Sequence, residues 1–346
     1  MDVTSKTEEI ARPDAMPLPG DPLNRYWLEL AGVNPQLVED FRPVLVTFLA
    51  FDKDRSVTPM TTVGTGFVIG TNDKAGLAFV LTAKHVLDGV HGVQTPRQRH
   101  AESAYFVPDA YTQPTLHPER LKVAWMGSTS AGCLNAIHAN YNLSTDIACC
   151  IVARQEADDL AFSSPHLLID PRVPAVGEIV HMVSIDNMSA VEMAEPEDRT
   201  GRGQVMQVSR RVSIRRGTVT SVHPNGFGQY RWPCFTTSIP AAGGMSGGFV
   251  FVPRDGETIA ACGVVCADLD PYQSQTDQTQ CGTSVVGCIW PALGLRLPLT
   301  NPAPPGAPDR ALLDMARAGD LSMPVGGVDG FTLETLDNGD YRLHRR

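Results

Sequence analysis

Gly243-Gly244-Met245-Ser246-Gly247-Gly248 runs directly into Phe249-Val250-Phe251-Val252. Paired glycines on either side of a serine open backbone conformations closed to other residues, so the serine sits on a tight turn. The apolar run after it, aromatic and β-branched, predicts a strand. In such a turn two N–H groups, those of Gly244 and Ser246, can converge on one point beside the hydroxyl.

Two further segments share this strand-and-turn setting. Leu81-Thr82-Ala83-Lys84-His85-Val86 is a strand ending at a turn that bears a histidine. Ser144-Thr145-Asp146-Ile147-Ala148 places an aspartate at the mouth of an apolar strand. A serine hydroxyl is a poor nucleophile at neutral pH and needs a base within reach, itself oriented by a third group. Histidine titrates in the right range for that base. A carboxylate then fixes the ring tautomer and stabilises the imidazolium as it forms. Convergent N–H donors would bind the oxyanion of a tetrahedral intermediate. Singly, each piece has an ordinary alternative: a surface histidine, a Gly-Ser loop, an aspartate closing a turn. Together, in the order His85, Asp146, Ser246, they point to nucleophilic acyl transfer, with Gly244 and Ser246 as oxyanion donors.

Working outward, the 31 glycines and 27 prolines among 346 residues favour many short strands over long helices. Strands are predicted at 44–51, 66–69, 78–82, 121–126, 147–152, 178–184, 205–214, 216–222, 234–239, 247–252, 259–267 and 284–290. That pattern suits a barrel or sandwich and not a βαβ sheet. Residues 92–120 read as a long loop. Residues 1–42 form an N-terminal arm with short helices, one from Asp21-Pro22 to Gly32 around Leu23, Tyr26, Trp27 and Leu30, one opened by Asn34-Pro35 and ending before Pro43. After Leu299, Pro302, Pro304, Pro305 and Pro308 make a stiff linker. A short capped helix from Asp309 to Gly319 and a hairpin turn at Asn338-Gly339 complete a tail over 299–346.

The formal charge of −10 argues against a whole-surface nucleic-acid binder. Arg199, Arg202, Arg210, Arg211, Arg215 and Arg216 read as a site for an acidic partner or as solvated strand edges, and the acidic total favours the edges. No apolar run reaches the ~18–20 residues of a bilayer span, and the start lacks a secretory signal. A cytoplasmic chain is the expectation, its eight cysteines mostly buried thiols. Cys149 and Cys150 point to opposite faces of a strand. Cys262 and Cys266 share a face but lie roughly 13 Å apart, too far for a mutual disulfide. Cys234, Cys281 and Cys288 could be imagined around zinc, but no paired CxxC spacing supports it.

The Thr-Ala-Lys-His-Val run, Thr145-Asp146-Ile147-Ala148 and Gly244-Met245-Ser246-Gly247-Gly248 resemble the chymotrypsin-like (trypsin-like) serine peptidases, the Deg/HtrA type more than the digestive type. Gly217–Val222, Gly263-Val264-Val265 and Gly287-Cys288-Ile289-Trp290-Pro291 support the likeness, which covers about residues 43–298. It implies an all-β fold of two six-stranded antiparallel barrels, about 43–155 and 174–298, with the triad in the cleft between them. By that resemblance His85 is general acid/base, Asp146 its orienter and Ser246 the nucleophile of a serine endopeptidase acting on protein or peptide substrates, with no cofactor and no metal. Met245 stands where digestive enzymes carry an aspartate for a newly cut N-terminal amine, and a thioether cannot make that ion pair. Val86 replaces a disulfide-forming cysteine, and the tail is too short for a PDZ domain. By analogy Pro240 floors the specificity pocket and Cys266-Ala267-Asp268 form its wall. A neutral floor argues against a strict demand for Lys or Arg, and small Ala267 suggests a modest apolar side chain. A latent binding or scaffold protein and an esterase using the same groups are the alternatives. The arm and the tail are candidate docking elements for a regulatory partner.

Overall fold

The computed structural model describes residues 27–51, 60–72, 75–88, 90, 107–117, 120–126, 131–153, 166–193, 205–254, 258–268, 284–299, 309–324, 327–337 and 341–346. Six strands make the first barrel: β1 (Leu45–Phe51), β2 (Met60–Asn72), β3 (Leu77–Ala83), β4 (Leu121–Met126), β5 (Ala131–Asn142) and β6 (Ile147–Ala153). They run antiparallel in the order β5-β4-β1-β2-β3-β6, and β5 also pairs with β6, which closes the ring. The second barrel comprises β7 (Ile179–Met193), β8 (Val205–His223), β9 (Cys234–Thr237), β10 (Phe249–Phe251), β11 (Ala260–Asp268) and β12 (Ser284–Cys288). Its order is β8-β7-β10-β11-β12-β9, closed by pairing of β8 with β9.

Every residue of β3 and of β6 is buried. Strands apolar on both faces sit between two packed layers. One face fills the first barrel, and the shared core beyond takes in Val183, Ile185, Phe249, Phe251 and Val264 of the second. Phe41 closes one side of that junction, its ring 5.6 Å from Phe249 and 5.7 Å from Phe251. It is carried by α1 (Pro35–Phe41), which starts as predicted, with Asn34 Oδ1 accepting from Gln36 N at 3.1 Å.

Four local expectations need revision. Of the helix predicted over 21–32, the described part, 27–32, is not helical: it holds a short strand, Leu28–Glu29, paired with Arg216 and Arg215 of β8, and then a turn. An exposed strand edge offers backbone partners that a solvent-facing helix turn lacks. The two strands predicted at 205–214 and 216–222 are one, because Arg215-Arg216 continues the ladder. β5 was not expected: Asn140 and Asn142 are buried, and a bulge between Ala136 and His138 breaks the apolar alternation. The arginine run is not simply a solvated edge. Arg210 donates to Leu45 O at 3.1 Å, Arg211 pairs with Asp186 and Arg215 is buried; Arg199 and Arg202 lie outside the described residues. Burial, with the charge of Arg42, lowers the Arg210 guanidinium to about 10.

The tail is packed against the barrels. Helix α3 (Leu312–Ala318) ends at Gly319, left-handed at φ +80. Phe331–Thr335 pairs with Tyr341–Arg345, the Asn338-Gly339 turn lying outside the described residues. Leu313, Phe331 and Leu343 enter the core of the second barrel, and Phe331 stacks on Trp290 at 6.1 Å. Leu343 N also donates to Pro108 O at 3.2 Å, on a loop of the first barrel. Among the described residues no helix is long and apolar enough to cross a membrane.

Candidate active site

β3 and β6 pair through Ala83 and Ile147, so the residues just beyond them, His85 and Asp146, meet at one end of the first barrel. Short helix α2 (Lys84–Asp88) begins there, and Lys84 N donates to Asp146 O at 3.1 Å. Both carboxylate oxygens of Asp146 are engaged by one residue. Oδ1 accepts from His85 N at 2.9 Å and Oδ2 from His85 Nδ1 at 2.7 Å. An ionised carboxylate only accepts, so Nδ1 carries the proton and Nε2 is left as the basic nitrogen. Burial pulls the His85 pKa down, but the hydrogen bond and charge of Asp146, with Asp88, outweigh it and the net shift is upward. The Asp146 side chain is 10% exposed and that of His85 46%, a carboxylate sheltered behind an open imidazole.

Ser246 approaches from the second barrel, half-buried on the turn before β10. Met245 N donates to Ala242 O, Gly247 N to Val265 O and Gly248 N to Met245 O, at 2.8–3.1 Å. Among the described residues, the N–H groups of Gly244 and Ser246 donate to no protein acceptor. Gly244 and Gly247 have φ of +91 and +86, in the left-handed region that favours glycine. The turn is tied to the first barrel by Thr65: its N–H donates to Ser246 O at 2.8 Å and its hydroxyl to Gly244 O at 2.8 Å. A Cβ placed on Gly64 would lie 3.0 Å from Ser246 O and 2.5 Å from Val86, which puts the serine turn and the residue after His85 on one glycine. The Ser246 hydroxyl donates to Cys266 O at 3.4 Å, and His85 holds no bond to it. Such bonds are often loose without substrate.

Pro240 is half-buried, its carbonyl accepting from Arg215 Nη1 at 2.6 Å. Val265 bonds the turn in both directions, to Gly247 N and Gly248 O, each at 2.8 Å. Cys266 and Ala267 continue past the serine as the strand beside it, and Asp268 pairs through its backbone with Ser284. The Cys266 thiol is buried, which pushes its pKa well above the usual range with help from the Asp146 charge, so it is no competing nucleophile. Several residues around the turn gave no sign in the sequence. Thr65 is one; Asn187 and Met188, at a bulge in β7, are others, the Met188 methyl lying against Gly244. Among the described residues no cluster of His, Cys, Asp or Glu could hold a metal ion; Cys281 lies outside them.

Among solved structures the chain is similar to the inactive form of the Rv3671c protease of M. tuberculosis, at 17% identity over 75% of this chain and 89% of that one, with a TM-score of 0.37. It is similar also to the apo MamO protease domain of Magnetospirillum magneticum, at 13% identity over 72% of this chain and 93% of that one, with a TM-score of 0.38. No curated protein matches the sequence. The family model described as a trypsin-like peptidase domain matches residues 64–260, more than half of the chain, and takes in His85, Asp146 and the whole Gly243–Gly248 turn. The chain belongs to the trypsin-like peptidase family.

Proposed function

We propose that the protein is a serine endopeptidase working through an acyl-enzyme, with His85, Asp146 and Ser246 as its triad. The observation that carries this reading is the double hold of Asp146 on His85, at 2.7 and 2.9 Å, which leaves Nε2 as the basic nitrogen of the ring. Nε2 takes the Ser246 proton as the oxygen attacks the scissile carbonyl, and Asp146 stabilises the imidazolium that results. The oxyanion falls to the N–H groups of Gly244 and Ser246. His85 then protonates the leaving amine, and a water deprotonated by the same nitrogen releases the acyl group.

Substrate enters as an added strand along Cys266, Ala267 and Asp268. The pocket floor at Pro240 has no side-chain charge, and Ala267 is small, so cleavage follows modest apolar residues. The test is a mass-spectrometric profile of a proteome-derived peptide library beside a panel of activated esters. Internal cleavage after small apolar residues, absent from Ser246→Ala, is the expected result. Ester turnover without any peptide cleavage would reassign the chain as an esterase, and neither activity from folded protein would favour a latent binding protein.

A further inference from the structure

Besides Thr65 and Val265, two further contacts hold the oxyanion turn, and one side chain reaches the first directly and the strand that carries the second through Asp186. At its root, the Pro240 carbonyl accepts from Arg215 Nη1 at 2.6 Å. Where the turn passes the neighbouring strand, Gly244 lies under the methyl of Met188. Met188 follows Asn187, a non-glycine residue at φ +48, and Asn187 follows Asp186. Arg215 Nη2 lies 3.4 Å from Asp186 Oδ2, and Arg211 holds the same carboxylate through two bonds of 2.7 and 2.8 Å. Asp186 is 3% exposed and Arg215 8%, so their contact is no idle surface pair, whereas the Arg211 side chain is two-thirds exposed. The turn has no charge of its own for an anchor. Met245, at its centre, is fully buried and its sulfur only accepts from Ala242 N at 3.1 Å.

Arg215 is gripped in turn from the N-terminal strand. Glu29 Oε2 lies 3.3 Å from its Nε, and the Trp27 ring lies under its guanidinium at 5.0 Å. Glu29 also accepts from Ser213 Oγ and Ile214 N, both at 3.0 Å. A chain of contacts thus runs from Trp27 and Glu29, through Arg215, directly to the root of the turn at Pro240 and, by way of Asp186 and the backbone that leads to Met188, to Gly244.

We propose that Arg215 is a positioning residue for the oxyanion turn, and that the N-terminal segment Trp27–Glu29, which includes the strand Leu28–Glu29, is a built-in activating element acting through it. A guanidinium is suited to this because its planar fork reaches a carbonyl, two carboxylates and an aromatic face at once. The consequence for catalysis rests on the serine-peptidase reading; the coupling of strand to turn does not.

The test uses the full chain and the variants Arg215→Met, Arg215→Lys and Glu29→Gln. Hydrogen exchange is followed in peptides covering 238–252 and, as controls, those covering β3 and β6. In parallel the rate of Ser246 phosphonylation is measured with a fluorophosphonate, and kcat and KM with a peptide substrate. Arg215→Met should speed exchange in the turn alone and slow phosphonylation and kcat by ~10- to 100-fold with little change in KM, as expected when catalytic donors are displaced. Glu29→Gln should do the same more weakly, and lysine should restore part of the loss, since one ammonium cannot span all the acceptors. Unchanged exchange in the turn would overturn the proposal, as would a rise shared equally by β3 and β6 or an unaltered phosphonylation rate in a faster-exchanging turn. A turn that responds in a chain whose wild type takes no phosphonate would sustain the coupling and remove the peptidase reading.

Discussion

Replacing Gly247 by alanine should be the costliest single-methyl change in the serine turn. Gly247 sits at φ +86, where an L side chain costs about 1–2 kcal/mol. The added methyl would overlap the Thr65 carbonyl oxygen and the Thr82 hydroxyl, which are themselves joined by a 2.7 Å hydrogen bond. Relief requires opening that bond, the 2.8 Å bond from Gly247 N to Val265 O, or both, at about 1 kcal/mol each. The sum is about 2–4 kcal/mol. An unfolding entropy of about 2.1 cal/mol/K per residue makes 1 kcal/mol worth about 1.4 °C in a chain of 346 residues, so Tm should fall by about 3–6 °C. Gly243→Ala is the internal control, because a Cβ there meets nothing within 4 Å and the backbone is not left-handed. It should be neutral, or stabilising by about 0.4–1 kcal/mol through the unfolded chain. Calorimetric melts of the two variants beside wild type decide the matter. Equal Tm values for Gly247→Ala and Gly243→Ala would refute the reasoning, since it would mean that the turn relaxes without regard to its packing on Thr65 and Thr82.

The upward shift of His85 predicts an acid limb of activity with its midpoint above the ordinary value of 6.5, moved downward by Asp146→Asn. Because the folded pKa is the raised one, the pair's contribution to stability is full below the unfolded pKa and is lost as pH rises through the folded value. An NMR titration of the imidazole nitrogens, with melts across the same window, checks both signs. Phe41→Ala removes the ring between Phe249 and Phe251 and should cost about 3–5 kcal/mol in urea unfolding. Phe331→Ala uncovers Trp290, so tryptophan emission should shift to the red together with a loss of about 3 kcal/mol. Of the seven described cysteines only Cys133 is not fully buried, while burial pushes Cys150 and Cys234 up to about 12. Timed alkylation at pH 8 with peptide mapping should therefore mark Cys133 first among them.

His85 and Asp146 were legible because each lies just past the end of an apolar strand, and two neighbouring strands in register bring such ends together. The glycines around Ser246 announced the turn for a similarly local reason: left-handed backbone favours glycine. Arg215 was not legible in that way. In the sequence it is one arginine in a run of six, and only the pairing of Leu28–Glu29 with β8 gives it Glu29, Asp186 and the Pro240 carbonyl as partners. The fifth strand was hidden by polar side chains that face inward, Asn140 at 2% and Asn142 at 1% exposure, where alternation would ask for apolar ones. Thr65 and Met188 carried no signal because their importance comes from contacts across long sequence separations, 179 residues in the bond from the Thr65 hydroxyl to Gly244 O. Local chemistry is written locally; what holds it in place is not.

Intact mass after exposure to a fluorophosphonate, with wild type run beside Ser246→Ala and His85→Ala, asks most directly whether Ser246 is an activated nucleophile. A single adduct on wild type, absent from Ser246→Ala and slow on His85→Ala, is the predicted result. Folded wild type that gains no mass, or an adduct that persists in Ser246→Ala, would contradict it.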